Sequence, residues 1–126
     1  MPRKISKKGL KKKLDKAWSA LVKQEAGNKC EVCGLAGDNC RLNSHHIVGR
    51  RNLRLRWELY NGVCLCSGCH TFRSHSAHQN VVWFDEWLRE NRGEDYKLVK
   101  KTMSEIKKWT IDEMLELLEG FEEQLN

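Results

Sequence analysis

Asn61-Gly62-Val63-Cys64-Leu65-Cys66-Ser67-Gly68-Cys69-His70 is the stretch whose reading decides the fold. It opens on a turn signal, Asn61-Gly62. A short apolar run follows, Val63-Cys64-Leu65-Cys66, of the kind that forms a buried strand. That strand delivers a C-x2-C pair, Cys66 and Cys69, with His70 directly behind it. Upstream the same spacing recurs as Cys30-Glu31-Val32-Cys33, and His45-His46 lies between the two pairs. A C-x2-C pair presents two thiolates from one tight turn. Two such pairs supply four sulfurs in tetrahedral array, which suits a structural Zn2+ held by Cys30, Cys33, Cys66 and Cys69. A site closed by four sulfurs leaves the histidines and Asn61 free for separate chemistry.

The 126 residues are enough for one domain with a modest core. Charged residues make up 32% and the mean hydropathy is −0.69, the values of a soluble chain. No run approaches the roughly 18 apolar residues of a membrane span, so no membrane partner is expected. The basic N-terminus lacks the apolar stretch of a signal peptide. Six cysteines in such a chain are expected to be reduced thiols and metal ligands, not disulfides. The net charge of +6 is uneven: residues 1–60 hold 15 Lys and Arg against 5 Asp and Glu, and residues 61–126 hold 8 against 12. A basic front half suits a polyanion such as DNA or RNA. Charge alone equally allows a merely solvated face.

Along the chain, residues 1–13 read as a basic arm with Arg3, Lys4, Lys7, Lys8, Lys11, Lys12 and Lys13. An apolar face starts near Leu10 and continues through Leu14, Trp18, Leu21 and Val22, giving an N-terminal helix over 14–27 that stops at Gly27-Asn28. Residues 28–79 form the zinc-held core: a knuckle, a short strand within 41–49, a basic loop, the strand at Val63–Cys66, and a helix starting near Ser67. Residues 80–126 are helical. Val81, Phe84 and Leu88 predict one apolar face; Val99, Met103 and Ile106 predict another. Thr110-x-x-Glu113 is a capping box that opens a last helix lined by Ile111, Met114, Leu115 and Leu118, acidic on its outer side. The expected architecture is a single α+β domain, a small zinc-stapled core flanked by N- and C-terminal helices.

The order Cys-x2-Cys, His45-His46-Ile47, Asn61, Cys-x2-Cys-His70 resembles the HNH endonuclease family, the zinc-containing ββα-metal nucleases. The segment Arg54-Leu55-Arg56-Trp57 leading to Asn61 is also similar to phage recombination proteins of the NinG family. The resemblance covers residues 30–75. It implies a metal-dependent endonuclease that hydrolyses DNA phosphodiester bonds by nicking or double-strand cleavage. It implies that His46 is the general base, and that His45 and His70 hold one divalent metal, Mg2+ or Mn2+ by default and Ni2+ or Zn2+ as further choices. It implies that Asn61 bonds across the ββ loop to keep His46 oriented. It also implies a phage-type protein working in the cytoplasm of a bacterial host.

Alternatives stay open at several positions. His45 and His46 can exchange roles, because neighbours on a strand face opposite ways. Relatives place a third ligand four residues after the last motif histidine, where this chain has Ser74. His75 is then the first candidate for that ligand and His78 the second; His75 as a phosphate contact or surface residue is the other reading. Arg50, Arg51, Arg54 and Arg56 lie in the loop between the strands and are candidates to clamp phosphates, with a solvated loop as the bland reading. The N-terminal lysines are expected to add sequence-independent affinity. Cys64 reads as a buried small hydrophobe and Cys40 as a loop thiol. The tryptophans read as packing residues, Trp57 being the one placed to stack on a base. Two other functions compete: a non-catalytic zinc-ribbon DNA-binding or recombination and packaging accessory protein, and an interaction module docking a protein partner through the acidic C-terminal helix.

Overall fold

The computed structural model describes residues 5–126. Four helices surround a two-stranded antiparallel sheet, an α+β arrangement. The first helix, α1, spans Lys7–Glu25. It therefore takes in most of the segment expected to be a free basic arm, and it starts seven residues before the expected boundary at 14. The reason is local. Ser6 caps the helix by accepting the Gly9 amide at 3.0 Å, and Leu10 and Leu14 are fully buried, so the lysine-rich turns share the core-facing stripe of the rest of the helix. Arg3 and Lys4 of the expected arm lie outside the described residues.

The helix ends at Ala26, and Gly27 and Asn28 turn the chain in the left-handed region, with φ of 68° and 56°. A knuckle follows, closed by the Lys29–Ala36 bridge. Strand β1, Leu42–His46, pairs antiparallel with β2, Gly62–Cys66, in a register that sets Ser44 opposite Cys64 and His46 opposite Gly62. Every residue of β2 is buried. Cys64 joins Leu14, Trp18 and Leu21 of α1 in one apolar cluster; Val63, Leu65 and Cys66 join a second, with Phe84 and Leu88. Side-chain alternation separates Cys64 from Val63 and Leu65; Cys66, the last strand residue, joins the second cluster with Cys30 and Cys69.

Gly62, read from sequence as half of a turn, is the first residue of β2. A Cβ there would sit 2.5 Å from Val22 and 2.7 Å from Trp18, so the absent side chain lets α1 lie against the strand. Beyond β2, Gly68–Phe72 forms one wide helical turn, and Arg73 is already extended. Helix α2 spans Val81–Asn91, capped by Asn80; α3 spans Gly93–Thr102; α4 spans Ile111–Gln124 behind the expected Thr110–Glu113 capping box. Helix α4 packs along α1 through Met114, Leu118 and Phe121.

Several expected core positions are on the surface: Val81 at the start of α2, Ile111 and Leu115 of α4, and Ile106, 91% exposed in the link after α3. Leu115 lies on the flank of the buried Met114, Leu118 and Phe121 stripe, and the other three lie at or beyond helix ends. Val81 and Ile111 are first-turn residues, where the chain has not yet reached the core, and α3 stops at Thr102 before Ile106. No described helix is long and apolar enough to cross a membrane.

One polar contact fixes α1 to the 47–61 loop. Asp15 takes two bonds from the Arg56 guanidinium, at 3.0 and 2.8 Å, and a third from the Trp57 indole at 2.8 Å. Burial raises the Asp15 carboxyl, but the bonds from Arg56 and Trp57 and the charges of Arg56 and Arg50 outweigh it and hold the group below its ordinary value. We expect Asp15→Asn to lower unfolding free energy by about 1–3 kcal/mol in urea titrations near pH 7, as loss of a charge-assisted, largely buried contact does. Because the folded-state value is depressed, this stabilisation is complete above the unfolded value near 3.8 and fades as pH falls below it. The gap between variant and parent should therefore close in acid.

Candidate metal and catalytic centre

The Cys30–Cys33 knuckle is built by its backbone. The Cys30 amide donates to the Leu35 carbonyl at 2.8 Å, the Gly34 amide to the Cys30 carbonyl at 2.9 Å, and Gly34 adopts φ of 80° to close the turn. In each pair the second cysteine's amide donates to the first one's sulfur: Cys33 to Cys30 Sγ at 3.5 Å and Cys69 to Cys66 Sγ at 3.4 Å. Such bonds favour thiolates. The sulfurs of Cys30, Cys33, Cys66 and Cys69 all lie within 4.8 Å of one another, with Cys33 and Cys66 only 3.6 Å apart. Tetrahedral bonds of about 2.3 Å would set neighbouring sulfurs about 3.8 Å apart. The four cysteines could thus hold a zinc ion. Burial raises the Cys30 and Cys69 thiols; for Cys33 the Leu35 amide and the neighbouring thiols overcome burial and bring it down to about 7. Arg73 reaches Cys69 Sγ at 3.3 Å and supplies positive charge beside the sulfurs. Cys64 and Cys40 stand apart. Cys64 is buried and pushed up to about 11 by burial and by Glu31; Cys40 donates to the Ala36 carbonyl at the knuckle's edge.

A second group forms on the other side of the second cysteine pair. Ring nitrogens of His45, His70 and His78 also lie within 4.8 Å of one another, and Nε2 of His70 and His78 are 3.0 Å apart. Zinc–nitrogen bonds of about 2.0–2.1 Å at tetrahedral angles would separate two donors by about 3.3 Å. Burial, then the neighbouring imidazoles His70, His78 and His46, depress His45 to about 3; burial and His78 lower His70. The lowered values of His45 and His70 favour the neutral ring with a free lone pair, the form a metal requires.

The third member is His78, not His75, which reverses the order expected from sequence. After Phe72 the helical turn ends, so a position four residues past His70 is no longer on its face. The chain loops out through Ser74 and the exposed His75, then zips back: the Ala77 amide donates to Cys69 O at 2.9 Å and the His78 amide to His70 O at 3.1 Å. Buried Ser76 secures the return, donating to Thr71 O and accepting the Gln79 amide. His75 rests against Trp83 instead, with ring centroids 5.6 Å apart.

His46 turns the opposite way from His45. Its ring stacks on Trp18 of α1, centroids 3.9 Å apart and planes 13° off parallel, and its Nε2 lies 3.0 Å from the Arg56 carbonyl. A carbonyl can only accept, so Nε2 carries the proton and Nδ1 of the neutral ring is the lone-pair nitrogen. Among the described residues no hydrogen bond ends on Nδ1, which leaves it as the ring's lone-pair nitrogen. Burial lowers the ring's basicity, partly offset by the Arg56 carbonyl and Asp15.

Asn61, fully buried, clamps the loop. Its Oδ1 accepts the Val48 amide at 2.8 Å, and its Nδ2 donates to Val48 O at 2.9 Å and Leu55 O at 3.1 Å. These bonds fix both ends of the 48–55 segment, and with it the approach to Arg56.

The four loop arginines divide. Arg56 is engaged with Asp15, and Arg54 pairs with Glu58 at 2.8 Å and Glu105 at 3.4 Å. Arg50 and Arg51 are exposed beside an open hollow of about 730 Å3 that Val48, Gly49 and Asn52 also line. Trp57 is buried, bonded to Asp15 and edge-on to Trp109, so it is not available to stack on a base. Two residues of this site carried no motif, Trp18 and Asp15. Trp18 reads in sequence as one more apolar position of α1, and nothing in its spacing reveals the ring stacked on it.

No protein-family model matches this chain, and no curated protein or solved structure matches it either.

Two expectations test the groups. Cys66→Ser should release zinc and abolish the cooperative unfolding transition, whereas Cys64→Ser should keep a full equivalent of zinc by metal analysis. For the histidines, His78→Ala should weaken binding of a second divalent ion by at least about tenfold, or ~1.4 kcal/mol, and His75→Ala should leave it unchanged in calorimetric titration.

Proposed function

We propose that this chain is a metal-dependent HNH-type endonuclease that hydrolyses DNA phosphodiester bonds, its sheet and the following turn forming a ββα-metal core. The observation that carries the reading is the pairing on consecutive residues at the end of β1. His45 belongs to a three-imidazole cluster, and His46 is held as the Nε2–H tautomer, with Nδ1 as its lone-pair nitrogen.

In this reading His46 is the general base. Nδ1 takes a proton from water, and the resulting hydroxide oxygen attacks phosphorus in line with the leaving 3′ oxygen. The P–O3′ bond breaks, the leaving oxygen takes a proton from solvent water, and the products carry 5′-phosphate and 3′-hydroxyl ends. As the imidazole becomes positive, the Nε2–H bond to Arg56 O and the Trp18 face stabilise it. Asn61 does not touch substrate; it is a positioning residue that holds the loop from which the Arg56 carbonyl points. Asp15 anchors the same Arg56 from its side-chain end.

His45, His70 and His78 would hold one divalent ion, which supplies Lewis-acid stabilisation to the scissile phosphate and the leaving oxygen. Three imidazoles without a carboxylate suit a transition-metal ion such as Ni2+, Zn2+ or Mn2+ better than Mg2+. Arg50 and Arg51 are the loop arginines suited to phosphate contacts, and Arg54 and Arg56 serve structure.

Supercoiled plasmid incubated with the protein and each of these metals should convert to open-circular or linear form. His46→Ala should slow this by about 10²–10⁴ while zinc content is unchanged. Asn61→Ala should also lower the rate without altering metal affinity. Failure to cleave under every metal, with DNA binding and zinc intact, would transfer the reading to the non-catalytic zinc-ribbon protein.

A further inference from the structure

Helix α1 breaks two local rules at its N-terminal end. Its first turn has no acidic residue and carries Lys7 and Lys8, which sets positive charge at the positive end of the helix dipole. Lys8 and Lys12, Lys7 and Lys11, and Lys12 and Lys16 are like-charged pairs four apart, an arrangement that destabilises a helix. The dipole rule is obeyed in α3, which opens on Glu94 and Asp95, and in α4, which opens on Asp112 and Glu113. Departures from local consistency concentrate at functional surfaces.

Helical spacing shows where the charge is aimed. Lys8, Lys11 and Lys12 stand seven, four and three residues before Asp15 and share its side of the helix. Asp15 faces the 47–61 loop, because it grips Arg56 and Trp57. Three residues further on, Trp18 carries the His46 ring. One side of α1 thus runs from three lysines, past the loop with exposed Arg50 and Arg51, to the edge of the proposed general base. Lys13 and Lys16 lie roughly 100–160° round the axis from Asp15 and are not part of this row.

We infer that the Lys8–Lys11–Lys12 side of α1 is a rigid track for the phosphate backbone of duplex DNA, extending the contact to one side of the cut. This rests on the nucleic-acid reading above and adds a surface outside the motif. Lys8 to Asp15 spans about 10 Å of helix, or about three base pairs at 3.4 Å each. The contact is backbone-only, so it is sequence-independent and strongly dependent on salt.

The test is equilibrium binding of a fluorescent duplex to full-length protein carrying His46→Ala, which binds without cutting, over 50–200 mM salt. Adding Lys8→Ala, Lys11→Ala and Lys12→Ala together should reduce the slope of log K against log salt by about 0.9 per lysine lost. Lys13→Ala with Lys16→Ala should leave that slope nearly unchanged. Zinc content of each variant reports folding. Equal slopes for the two sets would overturn the track, since net charge alone would then explain binding. Unchanged DNA affinity in the triple variant, with loss of concentration-dependent self-association, would assign the face to the acidic α4 of a second copy. If the parent binds no duplex at all while zinc is present, the nucleic-acid reading fails and the track fails with it. The expected difference in slopes, together with no plasmid cleavage by the protein with His46 intact under any metal, would sink only the catalytic reading.

Discussion

The convergence of four sulfurs from two turns 36 residues apart is the constraint on which everything else stands. A two-stranded hairpin is marginal in water, and β1–β2 has only five paired positions. Structural zinc contributes about 10–16 kcal/mol of apparent binding energy in small peptides, as large as the whole net stability of a typical domain, about 5–15 kcal/mol. With the knuckle tied to the end of β2, the strand is pinned at its C-terminal end. The same turn that presents Cys69 presents His70, and the backbone bonds that fold residues 77 and 78 back onto it bring His78 into reach. A zinc ion held by these four sulfurs would therefore set the positions of both candidate metal groups.

The other end of β2 is pinned differently. Gly62 allows Trp18 and Val22 to approach the strand at distances that no side chain would permit. That approach sets the indole against His46. The Asp15–Arg56 pair and the Asn61 clamp then determine where the Arg56 carbonyl meets Nε2. The tautomer of His46 is thus the product of three elements distant in sequence: helix, loop and strand. A larger residue at 62 would act on the imidazole through the indole, without contacting any reacting atom.

This division explains what was legible in the sequence. The cysteine pairs, the α+β architecture, the burial of Cys64 and the α4 capping box follow from short-range spacing, and short-range spacing is what a sequence displays. The extent of α1 is masked in the sequence by seven basic residues that read as an arm, although Leu10 and Leu14 already start the buried stripe. The family spacing points to a position next to His75, whereas His78 is brought to His45 and His70 by the return through Ser76, which hydrogen bonds between residues distant along the turn decide. Arg54 and Arg56 resembled phosphate ligands in a list of charges. Their carboxylate partners, Asp15, Glu58 and Glu105, are local in only one case of three.

Helix α1 is then more than a flank. Its buried stripe packs α4 and β2, its Asp15 holds the loop, its Trp18 supports the imidazole, and the Ser19 carbonyl accepts the Ser44 hydroxyl of β1 at 2.8 Å. A helix bound so firmly to the strand cannot shift without moving His46. Charge carried on such an element is positioned to within side-chain reach, unlike charge on a tethered arm, whose effective concentration is spread over the volume its linker explores. Opposite in sign, α4 exposes Asp112, Glu116, Glu119, Glu122 and Glu123 along its outer side. Two adjacent helices thus present opposite fields, and a polyanion meeting this molecule is steered toward the face that bears the histidines and away from the C-terminal helix.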